Sequence, residues 1–571
     1  MATESIPHKT VVTNGGPEAA ITPDEQARIE HRTAALASPP PNPHGTRIRG
    51  LSLTGGSPAT GGRFGRLFAA LGPADFGATD AQSEAALKRL GRAMVSSEDP
   101  PKDGPDNEES GFPAAYTYLG QFIDHDLTFD PVSSLARQDD PDALVDFRTP
   151  RFDLDDVYGR GPDDQPYLYS GGRTFLLGRP LTGGGLGTVL SARDLPRSNG
   201  SGGDPSSHRA IIGEPRNDEN VIVSQFQGLM LRFHNVVATR NPGMAFAEVQ
   251  RLVRFHYQWV VLNDFLPTVV SKSVLAQVLP HVVTGTNVIV DPPTVDFFDP
   301  GNPIMPLEFS AAAYRFGHSM IRPAYRLNDE IAPLPIFAFP SAPNAPALGG
   351  FTEFPSQWAI DWGRFIDLEA RPYGNPAEAG AAGSSGNLQR TQLAYKIDTS
   401  LVDPLKDLPL RVASDPPPSL PARNLLRGWR LRLPSGQAVA RAMGLAPMAD
   451  ADIKIGKFTG DPADIKGSIL DPTLGGPAFA GNCPLWTYVL AETQAVDIPF
   501  ATTDGTQTIS SRRLGPVGGR IVAETFAGLM LADPSSFLNV DPLFMPDTTL
   551  ANAGGTFGLR ELIAAAVSEP V

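Results

Sequence analysis

The chain has 571 residues, with 47 Lys and Arg against 62 Asp and Glu, for a formal net charge of −15. Phosphate backbones and anionic lipid repel such a polyanion, which argues against nucleic acid or a membrane surface as partner. Cys483 is the single cysteine, which excludes intrachain disulfides, Cys-based zinc or iron–sulfur sites and a two-cysteine haem attachment. The 57 glycines and 57 prolines make up about a fifth of the chain and predict long ordered loops.

The N-terminus, MATESIPHKTVVTNGG, has no apolar core of the kind a secretory signal needs, and no run approaches a membrane-spanning length. The expectation is a soluble, monomeric protein, cytoplasmic by default or exported without a signal. Residues 1–65, with PPPNPHG and TGGSPATGG, read as an extended N-terminal arm; residues 66–571 read as one mainly α-helical domain with long loops and little β-structure.

The first cluster with chemical content is Gly120-Gln121-Phe122-Ile123-Asp124-His125-Asp126. Two carboxylates flank one imidazole next to an apolar segment. On a helix, consecutive residues point about 100° apart, so Asp124, His125 and Asp126 would face three directions. A solvated Asp-His-Asp surface is the plain reading; burial beside the apolar segment would need a purpose. Residues 149–159 follow, with Thr149, Asp153 and Asp155 as oxygen donors at alternating positions. Such a set suits a hard cation such as Ca²⁺, although it is not an EF-hand.

Three stretches read as loops: 195–207, 375–387 and 414–421. Between the first two, Arg216-Asn217-Asp218-Glu219-Asn220 precedes an apolar helix over 221–239, where acidic residues complement the helix dipole. His234, on that helix, reads as a packing residue. Val249, Leu252, Val253, His256 and Val260 form one stripe of a second helix, and His256 on it reads as a satisfied core histidine. A third helix is expected over 307–322, stopped by Pro323 and carrying Tyr314-Arg315-Phe316-Gly317-His318. Gly317 costs about 1 kcal/mol there relative to Ala, and admits either a helix contact or a flat ligand. Residues 515–531 read as a fourth helix, and alternating β-branched runs are few and short. GGGLG at 183–187 reads as a turn-rich loop.

In this order, GQFIDHDLTF, the acidic loop ending VYG, PRNDEN with LRFHN, YRFGHSMI and NLLRG resemble the animal-type haem peroxidases. The resemblance covers about residues 110–435. It implies a haem b peroxidase that reduces H₂O₂ and oxidises small donors such as bromide, iodide, thiocyanate or phenols. By that resemblance His125 is the distal base, Arg216 the distal arginine and Gln121 the distal glutamine. His318 is the proximal iron ligand and Asn424 the hydrogen-bond acceptor for its other ring nitrogen. Arg315 and Arg427 match the arginines that pair with the haem propionates. Asp124 and Glu219 match the carboxylates that form ester links to the haem. Asp126, Thr149, the Arg151 carbonyl, Asp153 and Asp155 match a Ca²⁺ site beside His125.

Three departures carry weight. Asn220 stands where members with a sulfonium link have Met, which counts against efficient chloride oxidation. Asp155 replaces a serine, which should keep or raise cation affinity. The related fatty-acid dioxygenases carry a radical Tyr three residues before the proximal His; that position is Arg315 here, and Tyr314 is one residue earlier. A non-catalytic scaffold of the same fold is the other alternative, though no RGD or KGD is present.

Overall fold

The computed structural model describes residues 63–568, apart from 98, 100–103, 130–145, 147, 183–191, 200–207, 339–341, 343, 376–386, 411, 414 and 553–554. The first 62 residues of the expected arm, the GGGLG loop and most of the loops at 195–207 and 375–387 therefore lie outside the described residues. At the end of the expected arm, β1 (Phe64–Gly65) pairs in parallel with a two-residue strand, Met305–Pro306.

Helix α1 (Asp80–Ala93) starts at Thr79, whose hydroxyl accepts from the Gln82 N–H, and carries Asp80 in its first turn and Arg92 in its last. Strand β2 (Glu109–Pro113) leads into α2 (Ala115–Leu127), the helix that carries the Asp-His-Asp cluster. No side chain caps α2. The Ala114 and Ala115 N–H groups donate instead to the carbonyls of Gln392 and Phe365, so tertiary structure satisfies its first donors. Leu119, Phe122, Ile123 and Leu127 are fully or almost fully buried and seat α2 in the core.

The expected helix at 221–239 is α3 (Val221–Arg240), capped by Asn220, whose side chain accepts from the Ile222 and Val223 N–H groups. Every residue from Val221 to Ala238 is buried, so α3 is a central helix rather than an amphipathic surface one. The expected stripe at 249–260 lies on α4 (Phe246–Val260), which runs on into one turn of π-helix, Val261–Phe265. Both histidine readings on these helices hold. His234 bridges the Tyr158 hydroxyl and the Arg173 carbonyl, each at 2.9 Å. His256 bridges the Leu252 carbonyl at 2.8 Å and the Asp547 N–H at 3.0 Å.

The third expected helix is interrupted. Leu307–Ser310 is α-helical, but Ala313–Met320 is a 3₁₀ helix, and Ala312 between them leaves the helical region. The Arg315 Nε donates to the Ser310 carbonyl at 2.9 Å, so a side chain takes the acceptor that a continuous α-helix would use. Further on, α5 (Leu420–Arg430) packs against α1. A Cβ on Gly91 would lie 2.8 Å from the Ala422 backbone, so only glycine allows this approach.

Near the C-terminus the chain forms a hairpin that periodicity does not announce. β3 (Gln494–Thr502) pairs antiparallel with β4 (Gly505–Arg513) in an unbroken register of nine residues each. The hairpin's buried apolar side chains are Phe500 and Ile509, against Leu393; Pro499 and the Thr-Gln-Thr run hide the alternation. The fourth expected helix is α6 (Pro516–Ala532), with Pro516 in its first turn. The carboxylate of Glu492 accepts from the Val517 and Gly518 N–H groups at its start. The last helix described is α7 (Leu559–Ser568).

Candidate active site

A cavity of about 710 Å³ opens between α2, the start of α3 and the 3₁₀ turn 313–320, and both His125 and His318 line it. Gln121, Asp124 and His125 share its wall because they stand at i, i+3 and i+4 on α2, while Asp126, a further 100° round, leaves the cavity. The Gln121 amide nitrogen donates to Glu219 Oε1 at 2.8 Å, which brings Gln121, Asp124 and Glu219 to one cavity wall.

Asn217 holds His125. The His125 Nδ1 lies 2.6 Å from Asn217 Oδ1, while Asn217 Nδ2 donates to Gln227 Oε1 at 2.9 Å and to Asp156 Oδ2 at 3.2 Å. With two acceptors claiming the amide nitrogen, its oxygen must face the imidazole. His125 therefore donates from Nδ1, and its Nε2 keeps the lone pair when the ring is neutral. Burial, with the Arg216 charge second, pushes the His125 pKa below the ordinary value, so the ring is neutral at pH 7. Asn217 was within the motif read from sequence, but nothing in its spacing showed the contact.

Arg216 does not line the cavity. Its Nε and Nη2 donate to Glu214 Oε1 and Oε2 at 3.0 and 2.9 Å. Nη2 also donates to the carbonyls of His125 and Thr128 at 3.1 and 2.7 Å. Its guanidinium lies 4.6 Å from the Phe129 ring centre. Arg148 shares Glu214 through Nε at 3.1 Å and Nη2, and reaches Asp155 Oδ1 at 2.9 Å. Burial opposes ionisation of Glu214, but Arg216 and Arg148 outweigh it and hold its carboxyl well below the usual range. Two guanidinium groups thus flank one buried carboxylate beside the cavity, a link that no sequence pattern showed.

On the other wall, the spacing of a 3₁₀ helix brings Arg315 directly over His318, three residues and one full turn apart. The Asn424 Nδ2 lies 2.8 Å from His318 Nδ1, and Asn424 Oδ1 accepts from Arg315 Nη1 at 3.0 Å. The contact expected between Asn424 and His318 is present, with reversed polarity: the amide donates, because Arg315 claims its oxygen. Burial and the Arg315 charge push the His318 pKa down to about 3, so this ring is neutral as well. Arg315 lines the cavity, whereas Arg427, half-buried on α5, does not. A Cβ on Gly317 would have nothing within 4 Å, which leaves a flat open surface beside His318.

Asp126, Asp153 and Asp155 bring carboxylate oxygens within 4.8 Å of one another. Among the described residues, neither buried oxygen of Asp126 has a hydrogen-bond partner. Thr149 Oγ1 donates to Asp153 Oδ2 at 2.9 Å, and the Arg151 N–H donates to the Thr149 carbonyl at 2.8 Å. The Arg151 side chain points to Asp533, 3.9 Å away. Leu154, between the two loop carboxylates, adopts φ 56° and ψ 38°, a left-handed conformation that costs a leucine energy and aims Asp153 and Asp155 at one point. Burial first, then Asp156, Asp153 and Asp155, drives the Asp126 pKa up. The extra negative charge expected from Asp155 is offset by Arg148.

The sequence profile of the family described as animal haem peroxidase matches residues 135–341. A peroxidase-like protein of Margaritifera margaritifera is 30% identical over 130 residues, 21% of this chain and 15% of that protein. Human thyroid peroxidase is 25% identical over 175 residues, 28% of this chain and 17% of that protein. The matched stretches thus span less than a fifth of either relative's length. Peroxidase A from Dictyostelium discoideum shares the fold, with a TM-score of 0.50 and 16% identity over 89% of this chain and 94% of that one. The profile match includes the 216–220 cluster and His318, so this part of the chain is similar to the animal haem peroxidases.

Proposed function

We propose that the protein is a haem peroxidase, reducing H₂O₂ and oxidising small donors such as bromide, iodide, thiocyanate or phenols. The observation that carries this reading is a pair of neutral imidazoles lining one cavity, one of them held by Asn217 through Nδ1. The cavity fits haem. Its volume suits a macrocycle, the space over Gly317 admits a flat face, and His318, Arg315, Asp124 and Glu219 all line it.

Haem, when bound, supplies the iron at which the peroxide bond is reduced. The protein's own part is proton transfer and positioning. His125 Nε2 takes the proton from one oxygen of H₂O₂ and returns it to the departing one. Arg216 acts through the backbone carbonyls of His125 and Thr128, fixing the end of α2. His318 would hold the iron through Nε2, which requires a proton on Nδ1 and hence a half-turn of the Asn424 amide. Asp124 and Glu219 stand at the cavity wall, where ester links to haem would form. Asn220 spends its side-chain oxygen on the α3 N–H groups, which fits oxidation of donors easier than chloride.

The dioxygenase reading is disfavoured by Arg315, which eclipses His318 where that chemistry needs a tyrosine. Tyr314 is turned aside, and its hydroxyl donates to the Gly120 carbonyl at 3.1 Å. The test is the visible spectrum of haem-supplemented protein. A Soret band that shifts with one equivalent of H₂O₂ and returns with bromide, thiocyanate or guaiacol is the expected result. A band indifferent to peroxide would sink the proposal.

A calcium ion on Asp126, Asp153 and Asp155 belongs to the same proposal, because it would satisfy the orphaned Asp126 oxygens. Stripping divalent cations with a chelator should abolish peroxide turnover while the iron content stays constant, and added Ca²⁺ should restore it. Iron analysis and turnover measured on one sample would check this; full turnover in a demonstrably Ca²⁺-free protein would exclude the role.

A further inference from the structure

Tyr116, five residues before Gln121 on α2, lines the cavity and is not used by the reading above. Its hydroxyl donates to Asp264 Oδ1 at 2.8 Å. Asp264 stands on the π-helical turn that ends α4, a backbone irregularity common at functional positions. The other carboxylate oxygen accepts from the Leu559 N–H at 2.7 Å, at the start of α7. Gly558 makes room for it: a Cβ there would lie 2.7 Å from Asp264 Oδ2. Among the described residues, no Lys, Arg or His forms a salt bridge with Asp264. Its neighbours are the Tyr116 phenol and the carboxylates of Glu561 and Asp367. Burial pushes its pKa up to about 6.

Tyr118, Tyr167 and Tyr314 also line the cavity. Tyr314 donates to a peptide carbonyl, which cannot accept a proton outright. Tyr167 receives a hydrogen bond from the Gln165 amide and is largely exposed. Tyr118 faces Tyr325. Among the described tyrosines of the cavity, Tyr116 alone donates to a carboxylate. That pairing matters for redox chemistry. A phenol loses an electron far more easily when its proton can move at the same time to a base already hydrogen-bonded to it.

Resting on the proposed peroxidase reading, we propose that Tyr116 is a redox-active tyrosine: it gives one electron to the peroxide-oxidised haem and its phenolic proton to Asp264. The step balances. The Tyr116 O–H bond breaks, the Asp264 carboxylate becomes a carboxylic acid, the haem is reduced by one electron and a neutral tyrosyl radical remains. A one-electron donor, such as a phenol, then returns the electron while Asp264 returns the proton. The device splits the two-electron reduction of peroxide between the haem and a side chain on the cavity wall.

The test is freeze-quench electron paramagnetic resonance of the haem-loaded protein mixed with H₂O₂ and no donor, with the Soret response followed in parallel. A tyrosyl signal is expected, reduced at least tenfold in Tyr116→Phe, where the Soret band still answers peroxide. In Asp264→Asn, which keeps a hydrogen-bond acceptor but not a base of useful strength, the signal should form at least tenfold more slowly. The proposal is overturned if the wild-type Soret band responds without any tyrosyl signal. It is equally overturned if the signal survives Tyr116→Phe, or disappears in Tyr314→Phe instead. A Soret band that never responds would overturn the peroxidase reading, and this one with it.

Discussion

On the proposed reading, replacing His125 with alanine should slow the reaction with H₂O₂ by about 10²–10⁴-fold, the range that a positioned general acid–base supplies. The observable is the second-order rate of the Soret change in stopped flow. Asn217 gives the finer test, since it touches His125 without reaching the cavity itself. Asn217→Ala removes the acceptor for Nδ1–H and frees the ring to place its proton on Nε2, the wrong nitrogen for a base. The cost should be about 10–100-fold, as for other imidazoles held by one outer partner. Asn217→Asp keeps an acceptor at the same atom and should recover part of that loss. If His125→Ala stays within about threefold of the parent rate, proton transfer at this residue is not the catalytic step.

The second large effect concerns Glu109, at the head of the strand that feeds α2. Its carboxylate is fully buried between two almost equally buried arginines. Arg322 donates from Nη1 at 2.6 Å, and Arg390 donates from Nη1 and Nη2 at 2.8 and 2.7 Å. Arg322 follows His318 by four residues, so Glu109 ties the strand before the His125 helix to the end of the His318 turn. Glu109→Ala would strand buried cationic charge, a change that costs about 3–5 kcal/mol. Urea unfolding followed by tryptophan fluorescence should show that loss. Glu109→Gln, which keeps hydrogen-bond acceptance at one oxygen, should lose less. A loss below about 1 kcal/mol for the alanine variant would show that the arginines find other partners or water.

Much of this was legible in the sequence. Apolar spacing announced α3, α4 and α6, although α3 buries every side chain from Val221 to Ala238 rather than a single face. The residues that bear chemistry stood out in dense clusters around His125 and His318. What escaped was set by contacts between distant segments. Glu214 and Arg148 form an ion pair 66 residues apart, and each looks like an ordinary loop charge alone. Asn217 serves His125 across 92 residues. The break at 311–312 arises because the Arg315 side chain captures a backbone carbonyl, an event that periodicity does not encode. The hairpin 494–513 hides because one face is solvated and the other buries only two apolar side chains, Phe500 and Ile509. The Asn424 amide has its polarity set by Arg315, and sequence spacing gives only its proximity to His318.

The acidic loop has one more consequence, which concerns time rather than geometry. Asp126, Asp153, Asp155, Asp156 and Glu214 converge with Arg148, Arg216 and Arg254, so the carboxylates outnumber the guanidinium groups. Such an excess resists closing in the absence of protons or a cation. Asp126 sits next to His125, and Asp156 shares Asn217 with it, so on the proposed reading neutralising this acidic knot helps to shape the cavity wall. On the proposed reading, maturation then has an order: a divalent ion closes the loop first, and the macrocycle enters a chamber already shaped.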